Sequence, residues 1–107
     1  MTLKEFFDST EMMCIHCPEE WMAKEFCSKS HELGKTFLGG ESYKEVTYWE
    51  RRKEEMSYTN GYQYGAVSFN RGTGYKVLSF YDIEDFTPKT KYKVTATGNI
   101  VAMKEGE

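Results

Sequence analysis

Apolar and polar positions follow a helical period at the start of the chain. The segment TLKEFFDS, residues 2–9, places its apolar side chains on one face and opens with Thr2 and Glu5 at the spacing of a capping box. These features predict a short N-terminal helix. The apolar run MMCIHC that follows is too short for a helix and predicts a buried strand from about Met12 to His16.

The next segment predicts the main helix of the protein, from Pro18 to Leu33. Proline suits a first helical position because its missing N–H would have no partner there, and Gly34 supplies a left-handed C-terminal stop. One face of this helix is apolar and is expected to pack on a sheet; it carries Met22, Ala23, Phe26, Cys27 and Leu33.

Trp21 falls on the opposite, charged face of the predicted helix. Another segment or a partner is expected to shield its large apolar ring from water. Two alternatives are open. The N-terminal helix, with Phe6 and Phe7, could fold over it, or the ring could lie in an oligomer interface or contact a ligand. The second alternative makes Trp21 a candidate interface residue.

Beyond Gly34 the pattern changes to short aromatic runs separated by glycine. KTFL predicts a strand, SYKEVTYW a strand or an extended arm, and WERRKEE a charged surface connection. The runs MSYT, YGAVSFN and YKVLSF, separated by the turns NG and RGTG, predict successive antiparallel strands. YDIEDF predicts a helical turn, and a β-hairpin is predicted over about residues 91–103.

Together these elements predict one α+β domain spanning residues 1–107, with its core in residues 12–86. Its expected architecture is a two-layer sandwich, in which the main helix and the short N-terminal helix pack on one face of a mostly antiparallel β-sheet.

Charge and hydropathy argue against two classes of protein, namely duplex nucleic-acid-binding proteins and membrane proteins. The net charge is −3 with acids and bases interspersed, which argues against binding to duplex nucleic acid. No apolar run approaches the roughly 20 residues that span a bilayer, and the N-terminus lacks a signal-peptide pattern, so we expect a cytoplasmic protein without a membrane partner. The three cysteines are then expected to be free thiols.

The segment CIHCPEEWMAKEFCSKSHELG contains every cysteine and histidine of the chain, yet it predicts scaffold rather than chemistry. Cys14 and Cys17 have Cys-x-x-Cys spacing but belong to a predicted buried strand and its end, and Cys27 and His31 fall on different helix faces, so we expect no metal site and no cofactor. Cys17 precedes a helix, where a thiol pKa falls, but the same position suits an ordinary N-cap. Because no base can be paired with it, we expect no catalysis.

The interval from Tyr43 to Tyr75 interleaves tyrosine and tryptophan with basic residues. Planar rings beside guanidinium groups are suited to stacking on a nucleobase while pairing with phosphate. The alternative is a tyrosine-rich sheet with solvated charges. On the first interpretation the candidate ligand-binding residues are Tyr43, Trp49, Arg51, Arg52, Tyr62 and Arg71.

The order of these motifs resembles that of small uncharacterised proteins encoded by phages and prophages of Gram-positive bacteria. The resemblance covers about Met12 to Phe86 and lies in the PEE-capped helix ending at LG, the GESY segment and the closing strand GYKVLSFYD. It implies a counter-defence context. Two functions follow as expectations: sequestration of a nucleotide second messenger, either a cyclic oligonucleotide or an ADP-ribose-type signal, by a homo-oligomer, or inhibition of a host defence protein such as a CRISPR nuclease.

Overall fold

The computed structural model of the protein describes residues 1–86. The predicted hairpin at residues 91–103 lies outside this range.

The described chain contains four α-helices and four β-strands. The helices are α1 (Leu3–Asp8), α2 (Glu20–Glu32), α3 (Trp49–Arg52) and α4 (Val67–Thr73). The strands are β1 (Met13–His16), β2 (Met56–Thr59), β3 (Tyr64–Ala66) and β4 (Lys76–Ser79). Short 3₁₀ turns occupy Lys53–Glu55, Phe80–Asp82 and Glu84–Phe86. The predicted α+β class is confirmed.

The strands form one mixed sheet in the order β3-β2-β1-β4. β1 is antiparallel to β2, with Ile15 opposite Tyr58, and parallel to β4, with Ile15 beside Leu78. β2 and β3 form an antiparallel pair, joined by the turn that was predicted at Asn60-Gly61. Because β1 has neighbours on both sides, it is an interior strand, as its apolar sequence indicates.

The two predicted helices are confirmed, with small differences at their ends. Thr2 and Glu5 form the predicted capping box of α1. The helix α2 begins at Glu20, two residues after Pro18, and ends before Gly34, whose φ of +80° is the predicted left-handed stop. Four of the five predicted apolar residues of α2 are buried, but Leu33 is 40% exposed, and Ser30 is buried instead.

The prediction for YGAVSFN and YKVLSF is wrong in part. Only the first residues of YGAVSFN form a strand, and the remainder is α4. The glycine run that predicted a hairpin turn is instead the end of this helix, where Gly74 adopts a φ of +111°. Since α4 carries the chain across the sheet, β4 arrives parallel to β1 rather than antiparallel to the preceding strand.

The helices α2 and α1 pack on one face of the sheet through aromatic rings. Phe26 of α2 stacks on Tyr58 of β2, with ring centroids 4.5 Å apart and an interplanar angle of 6°. Phe6 and Phe7 of α1 both contact the ring of Phe26. Each fully buried ring of this kind contributes about 1.5–3 kcal/mol relative to an exposed one.

The opposite face of the sheet is covered by α4, which adds a short layer that the predicted two-layer sandwich did not include. Ser57 and Gly65 are paired across β2 and β3 on this face, and the side chain of Asn70 from α4 lies against both. Asn70 Nδ2 donates to Ser57 Oγ at 2.7 Å, and Ser57 Oγ donates to the Gly65 carbonyl at 2.9 Å. This small polar core is internally satisfied.

The segment between α2 and α3 forms turns rather than the predicted strand and arm. A single bridge pairs Thr36 with Ser42. Within this loop Phe37 and Tyr43 are buried, with ring centroids 4.1 Å apart. Their aromatic packing, rather than a ladder of strand hydrogen bonds, holds the loop on the core.

None of the helices in the described part of the chain is both long and apolar enough to cross a membrane.

The side chain of Asn60, in the turn after β2, ties α1 and β1 to the sheet. Its Oδ1 accepts from the Met13 amide at 3.2 Å, and its Nδ2 donates to the carbonyls of Phe6 at 3.1 Å and Glu11 at 2.8 Å. Asparagine suits this position for two reasons. It is tolerated in turns, and its side-chain amide can accept and donate hydrogen bonds at the same time.

We predict that Asn60→Ala lowers the free energy of unfolding by about 2–3 kcal/mol, because it leaves several backbone groups without partners. Urea denaturation followed by circular dichroism measures this change. Gln63→Ala is the matched control, since Gln63 is an exposed amide in the same turn. Equal effects of the two substitutions would contradict the role assigned to Asn60.

Candidate functional site

An open groove of about 590 Å³ lies where the loop after α2 meets α3 and the β2–β3 turn. Its volume falls within the range of small-molecule sites. It is lined by Phe37, Leu38, Gly39, Glu41, Tyr48, Arg51, Arg52, Tyr62, Gln63 and Tyr64.

A column of two rings and two cations forms one wall of the groove. Tyr48 and Tyr64 are stacked, with centroids 4.6 Å apart and an interplanar angle of 14°. The guanidinium carbon of Arg51 lies 5.6 Å from the centroid of Tyr48, and that of Arg52 lies 5.7 Å from the centroid of Tyr64. Since no group fits between rings at this separation, the two guanidinium groups lie outside the pair.

The two guanidinium groups keep most of their donors available. Arg52 Nη1 donates to the Arg51 carbonyl at 3.0 Å. Within residues 1–86, neither arginine lies within 4.0 Å of a carboxylate. Glu41 is the acidic residue among those lining the groove, so two positive charges meet one negative charge there. Arginine donors in this state favour an anionic ligand.

Two tyrosines of the groove adopt a backbone conformation that is rare for bulky residues. Tyr48 has a φ of +61° and Tyr62 a φ of +69°. Such conformations persist only where the surroundings impose them. Beside Tyr48, the hydroxyl of the buried Tyr58 donates to the Thr47 carbonyl, which fixes the loop to the sheet. Tyr62 is held by a parallel stack on Phe7, with centroids 5.3 Å apart.

The structure brings together three of the six predicted ligand-binding residues, namely Arg51, Arg52 and Tyr62. Tyr43 is instead 1% exposed and packs in the core. Trp49 is partly buried against the core next to the groove, and its Nε1 has no partner among the described residues. Arg71 is on α4, on the opposite face of the sheet. Their contact with a ligand stays a prediction.

Several lining residues escaped the sequence prediction. Tyr48 and Tyr64 belong to the aromatic interval, but only the fold shows that their rings stack. Leu38 and Glu41 belong to the predicted KTFL strand and to the GESY segment, neither of which predicted a binding site, and they reach the groove because the loop after α2 folds back. The one available signal was the proximity of Tyr48 to the Arg51-Arg52 pair in sequence.

Trp21 lies at the other edge of the sheet from the groove. It is 45% exposed, its Nε1 donates to Glu19 Oε1 at 2.9 Å, and its ring contacts Phe80 edge-on at 5.3 Å. Phe6 and Phe7 pack on Phe26 instead, so the N-terminal helix is not the cover that one alternative proposed. An interface role for Trp21 stays a prediction.

The cysteines are buried and poorly suited to nucleophilic chemistry. Burial raises the pKa of the Cys27 thiol to about 12 and holds the pKa of Cys17 well above its ordinary value. Burial also raises the pKa of Cys14, although the hydroxyl of Ser57 partly offsets it. Within residues 1–86, no group of three or more histidine, cysteine and acidic side chains is placed to hold a metal ion.

Comparison with protein-family models, with curated protein sequences and with solved structures gave no match. The groove must therefore be interpreted from its own chemistry.

We predict that the three thiols of the folded protein are alkylated by iodoacetamide at pH 8 at least about 100-fold more slowly than those of the urea-unfolded chain, because the thiolate is the reactive form and burial suppresses it. Mass spectrometry of timed samples gives the rates. Rapid labelling of Cys17 in the folded protein would show that burial does not suppress its thiolate.

We also predict that Tyr58→Phe loosens the groove while leaving the core packed. Loss of the bond to the Thr47 carbonyl should lower the free energy of unfolding by about 1–2 kcal/mol and speed amide hydrogen exchange in residues 45–52. Tyr75→Phe is the matched control, because the Tyr75 hydroxyl forms no hydrogen bond with the described residues. Unchanged exchange in Tyr58→Phe would show that other contacts fix the loop.

Proposed function

We propose that the protein binds a nucleotide in the groove and sequesters it without chemical conversion. The observation that carries this proposal is the pair of guanidinium groups, Arg51 and Arg52, held over stacked tyrosines and unpaired with described carboxylates. A phosphate group would supply the missing acceptors.

The rest of the groove suits a planar, partly polar group beside that phosphate. The partly buried ring of Tyr62 provides aromatic surface, and the exposed Leu38 adds an apolar contact. Gln63 presents a side-chain amide, which both donates and accepts, as pairing with the edge of a nucleobase requires. Aromatic faces stack on bases with little dependence on base identity.

Binding without catalysis is the simpler proposal for this set of residues. The groove contains arginine, glutamine, tyrosine and one glutamate, and the thiols lie in the core. Glu41 has no neighbouring histidine or cysteine along the groove wall with which to form a nucleophile and base pair. We propose that the bound nucleotide is a signalling molecule of a bacterial defence system, in keeping with the phage resemblance, and that a homo-oligomer holds it.

We expect Arg51→Gln and Arg52→Gln each to weaken nucleotide binding by about 10-fold, equivalent to about 1.4 kcal/mol, through loss of a charge-assisted contact. Isothermal titration calorimetry with AMP, ADP-ribose and cyclic di-AMP measures the affinities. Arg71→Gln is the matched control, because it removes the same charge from the opposite face of the sheet.

Two results would overturn the proposal. One is the absence of binding by the unmodified protein to any of these compounds at millimolar concentration. The other is an equal loss of affinity in Arg71→Gln and in the groove variants, which would show that net charge rather than the groove determines binding.

A further inference from the structure

The groove continues past Leu38 into a second lobe of about 300 Å³. This lobe is lined by Gly34, Lys35, Thr36, Phe37, Leu38 and Tyr62. Phe37, Leu38 and Tyr62 also line the groove, so the two hollows share a wall. The amide of Leu38 donates to the Tyr62 carbonyl at 2.8 Å and joins the two segments that form this wall.

The second lobe also combines a cation with an aromatic pair, of which Tyr62 lines the lobe and Phe7 is buried. Phe7 and Tyr62 are stacked, with centroids 5.3 Å apart and an interplanar angle of 6°. The ammonium nitrogen of Lys35 lies 5.6 Å from the centroid of Phe7 and 5.8 Å from that of Tyr62. Among residues 1–86, Lys35 lies within 4.0 Å of no carboxylate, although its charge adds to the larger effect of Lys4 in lowering the pKa of the Asp8 carboxyl. A stacked ring pair with an available cation thus occurs on each side of the shared wall.

The shared wall itself is suited to contact with a ligand that crosses it. Leu38 is 66% exposed, so its apolar side chain is accessible to a ligand. Its backbone is fixed by the bond to Tyr62, whose ring belongs to the second lobe and whose positive φ is maintained there. A ligand passing over Leu38 would remove this apolar surface from water.

We infer that the site takes a ligand with two phosphate groups and two planar groups, that is, a dinucleotide, with one phosphate at Arg51 and Arg52 and the other at Lys35. The inference rests on the proposed function and specifies its ligand. Binding both halves of one molecule makes the second contact intramolecular, which raises affinity without any further residue.

The test compares AMP with the 5′-phosphorylated dinucleotide pApA by isothermal titration calorimetry on the full chain. We expect pApA to bind one per chain and at least about 10-fold more tightly than AMP. Lys35→Met keeps the apolar stem, so it should remove this advantage by weakening pApA binding more than AMP binding. Lys35→Arg should restore it. Lys76→Met, an exposed lysine on the far edge strand, is the matched control.

The outcomes separate the inference from the proposed function. If AMP and pApA bind equally and Lys35→Met changes neither affinity, the inference is wrong and the single-lobe nucleotide site stands. If two AMP molecules bind each chain and pApA has no advantage, the lobes are independent and the inference is also wrong. If the unmodified protein binds neither compound, the proposed function itself fails.

Discussion

The groove depends on one buried residue, Tyr58, because it is the point at which the helix, the sheet and the loop meet. Its ring stacks on Phe26 and so joins α2 to the centre of the sheet. Its hydroxyl donates to the Thr47 carbonyl and so fixes the backbone just before the left-handed Tyr48. A hydrogen bond stabilises a buried hydroxyl, and for Tyr58 the acceptor is supplied by the loop.

From that anchor the geometry of the site follows in short steps. Tyr48, held in place, stacks on Tyr64 of β3, and the one-turn helix α3 then brings Arg51 and Arg52 over the two rings. The other lobe has a parallel origin. Asn60 ties the carbonyl of Phe6 to the sheet, which positions α1 so that Phe7 can stack on Tyr62. The position of the cations in both lobes therefore depends on the hydrogen bonds that Tyr58 and Asn60 form with neighbouring backbone carbonyls.

The sequence predicts this fold well where a residue acts through local geometry. The capping box at Thr2, the stop at Gly34 and the apolar face of α2 all depend on neighbours within a few residues. The structure confirms them, except that Leu33 is exposed. The glycine run ending in Gly74 was misleading because a left-handed glycine serves a hairpin and a helix end equally well.

The candidate site was less predictable, because its residues meet only through contacts between segments distant in sequence. Arg51, Arg52 and Tyr62 belong to a region whose composition was informative. Their partners Leu38 and Lys35 come from the segment KTFL, whose pattern predicted a strand rather than a groove wall, and no composition could show that Arg71 lies on the other face.

The most direct test of nucleotide binding in the groove is a titration of AMP into ¹⁵N-labelled protein, observed by two-dimensional NMR. If AMP binds in the groove, the amide signals of residues 38–41, 48–52 and 62–64 shift together while those of α4, residues 67–73, do not. Shifts concentrated in α4, or no shifts at all, would contradict binding in the groove.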